Sequence, residues 1–258
     1  MRSFAPIVPA LALLVLTVAW APADEAAEDP IDIVDVPTAT VVPHASYDSG
    51  LRLYTGGGVV TRVRVGIRET IHFGVSFGGT NLLGSGDPDW NPRVEFLVKG
   101  VLLQESYYGP ALALGFDSQG QGFYSGAYDR YQYKSRGFYA AFSKHFIFLG
   151  DLGLHAGMNY SLERGDDDDE PSGWLGIEKS FHPALDLLVG YDLATNDNDE
   201  NGVFGEGKGY LNAALLWRAS ENLHFEADFR NLLENGENAS GGLGEWSREL
   251  QLVYRQYF

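Results

Sequence analysis

The feature that most constrains this chain is a period of two. Val63, Val65 and Ile67 alternate with Arg62, Arg64 and Gly66, and Ile71, Phe73, Val75 and Phe77 alternate with His72, Gly74 and Ser76. The same rhythm returns from Leu152 to Glu163 and from Leu223 to Arg230. Successive side chains of a strand point to opposite faces, so each segment has one apolar face and one small, polar or charged face. A soluble sandwich also alternates, with its charged face in water. A membrane-spanning barrel turns the apolar face to lipid and the polar face to a lumen, because only a closed sheet satisfies every backbone group in hydrocarbon.

The connections favour the barrel. Strands are predicted near 46–55, 58–67, 70–79, 93–103, 109–116, 132–145, 151–163, 173–181, 184–194, 209–219, 223–231 and 246–258. Short links at 68–69, 104–108, 146–150, 182–183 and 220–222 alternate with long ones at 80–92, 117–131, 164–172, 195–208 and 232–245. The first hairpin, at 56–58, breaks the rhythm by being short on the long-loop side. Short turns on one rim and long loops on the other are the outer-membrane pattern, with both ends periplasmic. The expectation is an all-β, closed antiparallel transmembrane barrel of about 12 strands over residues 46–258.

The chain begins with an address. Arg2, the apolar run from Ile7 to Val18 and Ala21-Pro22-Ala23 form a signal-peptide pattern, predicted over 1–23. Residues 24–45 carry Asp24, Glu25, Glu28, Asp29, Asp32 and Asp35, three prolines and no lysine or arginine. They read as a solvated periplasmic lead-in. The net charge of −17 argues against nucleic acid as a partner, and the lack of cysteine removes disulfides, thiolate metal sites and a Cys nucleophile. At the other end, Leu250, Leu252, Tyr254, Gln256 and Phe258 share one face. An alternating strand that ends in an aromatic is similar to the assembly signal of bacterial outer-membrane barrels, and Leu250, Leu252, Tyr254 and Phe258 are its predicted carriers.

Five stretches resemble a narrower group: Asp48 to Tyr54, Phe73 to Thr80, Gly86 to Pro92, Ala113 to Gly120 and Gly209 to Ala213. They are similar to the YjbH-type outer-membrane family, barrels associated with exopolysaccharide gene clusters in Gram-negative bacteria. The resemblance covers most of the chain after Tyr47. It implies an outer-membrane location and a polysaccharide connection, and it brings no catalytic residues.

The alternation assigns Arg52, Arg62, Arg64, Lys99, Arg218, Arg230 and Arg255 to the lumen, with Glu95, Glu178, Asp186, Asp192, Glu226, Asp228 and Glu249. Balanced charges of this kind pair across strands and brace the wall, whereas a selective constriction shows one dominant sign. Small lumen residues, among them Gly66, Gly115, Gly153, Gly157, Gly176 and Gly190, leave space for solute or for long side chains opposite. His72 and Ser76 lie about 13 Å apart along one strand, at about 3.3 Å per residue, too far for a Ser–His pair. His155 and Ser161 fail likewise, so no enzyme and no cofactor are expected. The long loops are strongly acidic, densest at Asp166–Glu170 and 196–201. They read as solvated and mutually repelling, with divalent cations and lipopolysaccharide as candidate partners and no defined metal site. Trp90, Trp174, Trp217, Trp246, Tyr107, Tyr108, Tyr131, Tyr133 and Tyr257 are predicted to form interfacial girdles. The outer-membrane assembly machinery is the expected protein partner. The favoured function is a passive channel, or an export-associated barrel, for small polar solutes or exopolysaccharide. Behind it stand a side-chain-filled structural or surface-binding barrel and, more distantly, a lipid-acting enzyme.

Overall fold

A computed structural model describes residues 29–198, 204–236 and 244–258. The predicted signal peptide lies outside the described residues. Twelve strands form the wall: β1 (Ser46–Tyr54), β2 (Gly58–Arg68), β3 (Ile71–Thr80), β4 (Glu95–Leu103), β5 (Ala111–Asp117), β6 (Gly137–Ile147), β7 (Asp151–Tyr160), β8 (Ser172–His182), β9 (Leu185–Asp192), β10 (Tyr210–Arg218), β11 (Leu223–Arg230) and β12 (Ser247–Tyr257). Every neighbouring pair is antiparallel, and β12 pairs with β1 from Leu250 opposite Leu53 to Tyr257 opposite Ser46. The sheet is therefore a closed barrel, and there is no helix among the described residues.

The two faces divide as the period of two requires. Ile67, Phe73, Phe96, Leu114, Phe138, Met158 and Leu175 are exposed on the outside, a continuous apolar exterior suited to hydrocarbon. The inward positions are buried and largely polar, among them Arg64, His72, Ser76, Glu95, Lys99, His155, Glu178 and Asp228.

Three expectations change. First, residues 31–42 are not a solvated lead-in. Ile31, Ile33, Val34, Val36, Thr38, Ala39, Val41 and Val42 are all buried, and the segment folds as a hairpin inside the barrel. Asp32–Ile33 pairs with Val36–Pro37 at its tip, while Ala45 N–H donates to Gly66 O at the rim where β1 begins. Second, β6 starts at Gly137 rather than near 132. Residues Gln121–Ser125 and Arg130–Tyr133 pair with each other as a separate hairpin, and Arg130 and Tyr131 are fully buried. Third, of the rings predicted for the girdles, Trp90, Trp246, Tyr107, Tyr108 and Tyr257 are exposed and Trp217, half-buried, stacks on Phe225 at 5.5 Å, but three are inside. Trp174 sits on the inward face of β8, buried, with its ring N–H donated to Pro37 O at 3.2 Å. Tyr131 and Tyr133 belong to the inner hairpin, where Tyr133 lies under the Arg230 guanidinium.

Candidate functional site: a plugged, charged lumen

The N-terminal hairpin is held by two different arcs of the wall. On one arc, Ile33, Val34 and Val36 pack with Tyr139, Ala141, Trp174, Leu188, Ala214 and Leu216. Small residues make this possible. A Cβ on Gly190 would lie 3.2 Å from Ile33 O and 3.3 Å from Val36 Cγ2, and one on Gly66 would lie 1.9 Å from Pro43 O. Gly176 faces the side chains of the same two hairpin residues, Val36 and Ile33. Gly115 and Gly157 instead make room for the Tyr139 and Trp174 rings. The small lumen positions thus accommodate protein: some the hairpin, others aromatic side chains of the wall.

The opposite arc is basic and meets the hairpin's carboxylates. Asp35 receives Arg52 at 2.8 Å and also pairs with Arg230, while Asp32 pairs with Arg64 and lies 3.9 Å from Arg62 and from Lys99. Lys99 Nζ also donates to Ile31 O at 2.9 Å and Thr40 O at 3.1 Å. At the tip, Val34 has φ of +57°, unusual for a β-branched residue, and its carbonyl accepts Arg52 at 3.1 Å. Burial alone would raise the Asp35 carboxyl, but Arg230 and Arg52 outweigh it and hold the group below the ordinary carboxylate range. Asp32 is likewise lowered, against its burial, by Arg64, Lys99 and Arg62. A depressed folded pKa means that this attachment is intact at neutral pH and is lost only as pH falls through those lowered values.

All fourteen lumen charges singled out from the sequence face inward: Arg52, Arg62, Arg64, Glu95, Lys99, Glu178, Asp186, Asp192, Arg218, Glu226, Asp228, Arg230, Glu249 and Arg255. Many pair within the wall as expected. Arg64 donates to Asp48 at 2.9 Å and Arg230 to Glu249 at 3.1 Å, while Arg62 forms an ion pair with Asp117 at 3.3 Å, Arg218 pairs with Asp186 and Arg255 lies 3.5 Å from Asp48. Asp192 instead meets Arg136, from the long loop before β6, and Glu95 accepts from Arg93 at 3.0 Å and from Tyr131 Oη at 3.1 Å. Missing from the sequence-based set were Asp32 and Asp35, whose segment shows no periodicity to mark it as part of the lumen.

Beyond the hairpin, toward the long loops, lies a cavity enclosing about 1140 Å³ of empty space, part of it open solvent. Its lining includes Arg52, Arg62, Arg64, Lys134, Arg136 and Arg230, matched by Asp32, Asp35, Asp48, Asp117, Asp192 and Asp197. The inner loop hairpin narrows it. Arg130 there donates to Asp197 at 3.0 Å, pairs with Asp166 and stacks on Phe204. The two densest acidic runs are therefore not wholly solvated: each sends one carboxylate inward to the same guanidinium. Asp199, Glu200 and Asn201 lie outside the described residues.

Neither intrastrand Ser–His pair forms. His72 Nδ1 accepts the Val42 N–H at 2.9 Å, and Ser76 bonds Gln119 at 2.9 Å. His155 instead meets Ser143 of β6 at 2.8 Å, across neighbouring strands. That Ser143 Oγ already accepts the Ala39 N–H at 2.8 Å and is buried beneath the hairpin, facing away from lipid.

At the C-terminus, Leu250 and Tyr254 are exposed on the outer face, with Leu252 on the same side, and the Phe258 N–H donates to Ala45 O at 2.9 Å. Phe258 also stacks on Tyr47 at 6.0 Å, so the last residue caps the seam between β12 and β1.

No protein-family model matches this chain, and no curated protein does. Solved structures do. The KdgM porin is similar with a TM-score of 0.50 and 9% identity, covering 83% of this chain and 99% of that one. The NanC porin aligns with a TM-score of 0.47 and 9% identity over 82% of this chain and 99% of its own. The Acinetobacter baumannii outer membrane protein Omp33 aligns with a TM-score of 0.43 and 7% identity over 82% and 97%. The chain shares its fold with the KdgM porin, and its closed sheet with an apolar exterior is suited to a lipid bilayer.

Proposed function

We propose that this barrel is an outer-membrane channel for small polar solutes, closed from the periplasmic side by its own N-terminal hairpin. The observation that carries the reading is the charge balance of the cavity. Six basic and six acidic side chains line it, and two of those acids, Asp32 and Asp35, ride on the hairpin rather than on the wall. With the hairpin out of the lumen, Arg52, Arg62, Arg64 and Arg230 keep their wall acids but the lining loses two carboxylates, and the resulting positive excess favours anions. Carboxylate-bearing sugars fit that chemistry. The motif resemblance to YjbH-type barrels supports a link to exopolysaccharide.

A specific observation favours a second reading, the filled structural barrel: the apolar packing of Ile33, Val34 and Val36 against the wall. Single-channel conductance in planar bilayers separates the two. The expected result is rare or no opening for the mature chain and steady, anion-preferring openings once residues 24–43 are deleted. Neutralising Arg62, Arg64 and Arg230 in the deleted form should then shift the ion preference. Well-folded barrels that stay silent in every form would overturn the channel and leave the filled barrel.

For assembly, the outer-face residues of β12 and Phe258 serve as the recognition signal of the insertion machinery. Phe258→Ala should lower the amount of folded protein in the outer membrane, and unchanged levels would refute that role.

A further inference from the structure

Near the short-turn rim, three side chains from adjacent strands converge inside the lumen. Gly153 of β7 stands opposite His145 of β6 on one side and Glu178 of β8 on the other, and His155 follows two residues along on the same face. His155 Nε2 lies 3.7 Å from Glu178 Oε2, and His145 Nε2 lies 4.0 Å from the same oxygen. All three atoms are within 4.8 Å of one another. None of them makes a hydrogen bond among the described residues, although His155 is only 3% exposed and Glu178 only 5%. A buried polar atom left without a partner is destabilising. Three such atoms aimed at one point call for a shared ligand.

The far edges of both rings are anchored. His145 Nδ1 bonds Glu105 Oε2 at 2.7 Å, so Nδ1 carries the proton and the Nε2 lone pair faces the cluster. His155 Nδ1 meets Ser143 Oγ at 2.8 Å, and that oxygen has lone pairs enough for both the imidazole and the Ala39 N–H. Outer partners of this kind orient imidazoles that bind metals. Gly153 keeps the centre open: a Cβ there would lie 2.7 Å from His155 Nε2 and 3.0 Å from Glu178 Oε2.

We propose that His145, His155 and Glu178 form a binding site for a divalent first-row transition ion, with Zn²⁺ as its type. Two imidazoles and a carboxylate are a donor set for such ions, not for Ca²⁺ or Mg²⁺, which take oxygen ligands. The His155–Glu178 and His145–Glu178 separations, 3.7 and 4.0 Å, exceed the edge of about 3.3 Å expected for a tetrahedron with bonds near 2.0 Å, so a bound ion would draw the three side chains together. Asp29 Oδ1 stands 3.7 Å from His145 Nε2 and offers a fourth ligand. Asp29 precedes the hairpin, so a bound ion ties the plug to β6, β7 and β8. This last consequence rests on the channel reading; the site itself does not.

The test uses the tag-free mature chain folded in detergent, titrated with Zn²⁺ against a chromophoric chelator and with Co²⁺ followed by visible absorbance. The expected result is one ion per chain at micromolar affinity or tighter. His145→Ala and His155→Ala should each weaken binding at least about 100-fold, and Glu105→Gln about 10–100-fold, the usual effect of losing an outer partner. Asp29→Asn should weaken it several-fold. Gly153→Ala should block the site while retaining every ligand, which keeps the test decisive if a histidine variant fails to fold. Heat-modifiable gel migration reports folding for each. Absence of stoichiometric binding, or equal binding by the His145→Ala/His155→Ala double variant, would overturn the site. Binding lost only on replacing Asp166 to Asp169 would overturn it too, by placing the ions on the loops.

Discussion

The two arcs of wall that grip the N-terminal hairpin obey one alternation but hold it by different physics. On β8 and β9 the inward positions that meet the hairpin include Trp174, Gly176, Leu188 and Gly190, and the hairpin's apolar side chains fill the hollows they leave. On β1, β2 and β11 the inward positions are Arg52, Arg62, Arg64 and Arg230, and the hairpin answers with carboxylates. Apolar contact is short-ranged and nonspecific in sign. The buried ion pairs fix which way the hairpin faces, and whenever it departs the facing arginines are left with their wall acids alone. A segment held by both is seated firmly, yet its removal changes the lumen's charge rather than merely its volume.

Breaking the charged arc should give the largest effect. Asp35→Ala removes the partner shared by Arg52 and Arg230, both buried. Loss of one member of a buried pair typically costs about 3–5 kcal/mol. Glu249 and Asp228, at 3.1 Å from Arg230 and 3.6 Å from Arg52, retain part of the balance, which favours the lower end of that range. Denaturant unfolding in lipid vesicles measures it, and the same variant should open more often in bilayers. A stability unchanged within error would mean that the wall acids alone suffice.

The apolar arc is probed by filling its hollow. Gly190→Val places side-chain atoms where Ile33 O and Val36 Cγ2 already lie, at 3.2 and 3.3 Å from the new Cβ. Overpacking of this kind costs about 1–3 kcal/mol. The expected outcome is a folded barrel with a partly displaced hairpin, seen as raised conductance with the ion preference of the deletion form. If Asp35→Ala opens the pore and Gly190→Val does not, the ion pairs alone hold the plug.

The wall was legible in the sequence because its cause is local. Period two, the sorting of short and long links and the inward set of charges all follow from strand geometry, and all twelve strands appear within a few residues of expectation. The plug was not legible. Its ladder joins only Asp32–Ile33 to Val36–Pro37, too short to show a period, and its acids resemble those of a solvated tail. What recruits it is an arginine set split between the next two strands, with Arg52 and Arg64, and β11, with Arg230, 195 residues beyond Asp35. Trp174 was misplaced for a related reason: its position near a strand end suggested the membrane interface, while its parity put it inside. The His145–His155–Glu178 cluster depends on the register between three strands, which alternation within each strand does not encode.

The smallest expected effect concerns the loop side of the lumen, where charge is buried without a full partner. Glu163, just beyond β7, accepts the Tyr131 N–H at 3.1 Å but leaves Oε1 without a hydrogen bond among the described residues. Burial pushes its carboxyl up to about 7, against the opposing pull of the Tyr131 and Ser135 hydrogen bonds and of Arg130. A carboxyl raised in the folded state binds its proton more tightly than in the unfolded chain. Its stabilising share is therefore full at low pH and is lost as pH rises from about 4.5 through about 7. Between pH 6 and 8 the barrel should lose about 1 kcal/mol from this group. Glu163→Gln keeps the shape, removes the titration and should flatten that part of the pH profile. In contrast, the plug's Asp32 and Asp35, held below the ordinary range, should contribute no pH dependence in the same window. A slope that survives Glu163→Gln but disappears with Asp35→Ala would reverse the assignment, placing the titrating group on the hairpin instead of beneath the loops.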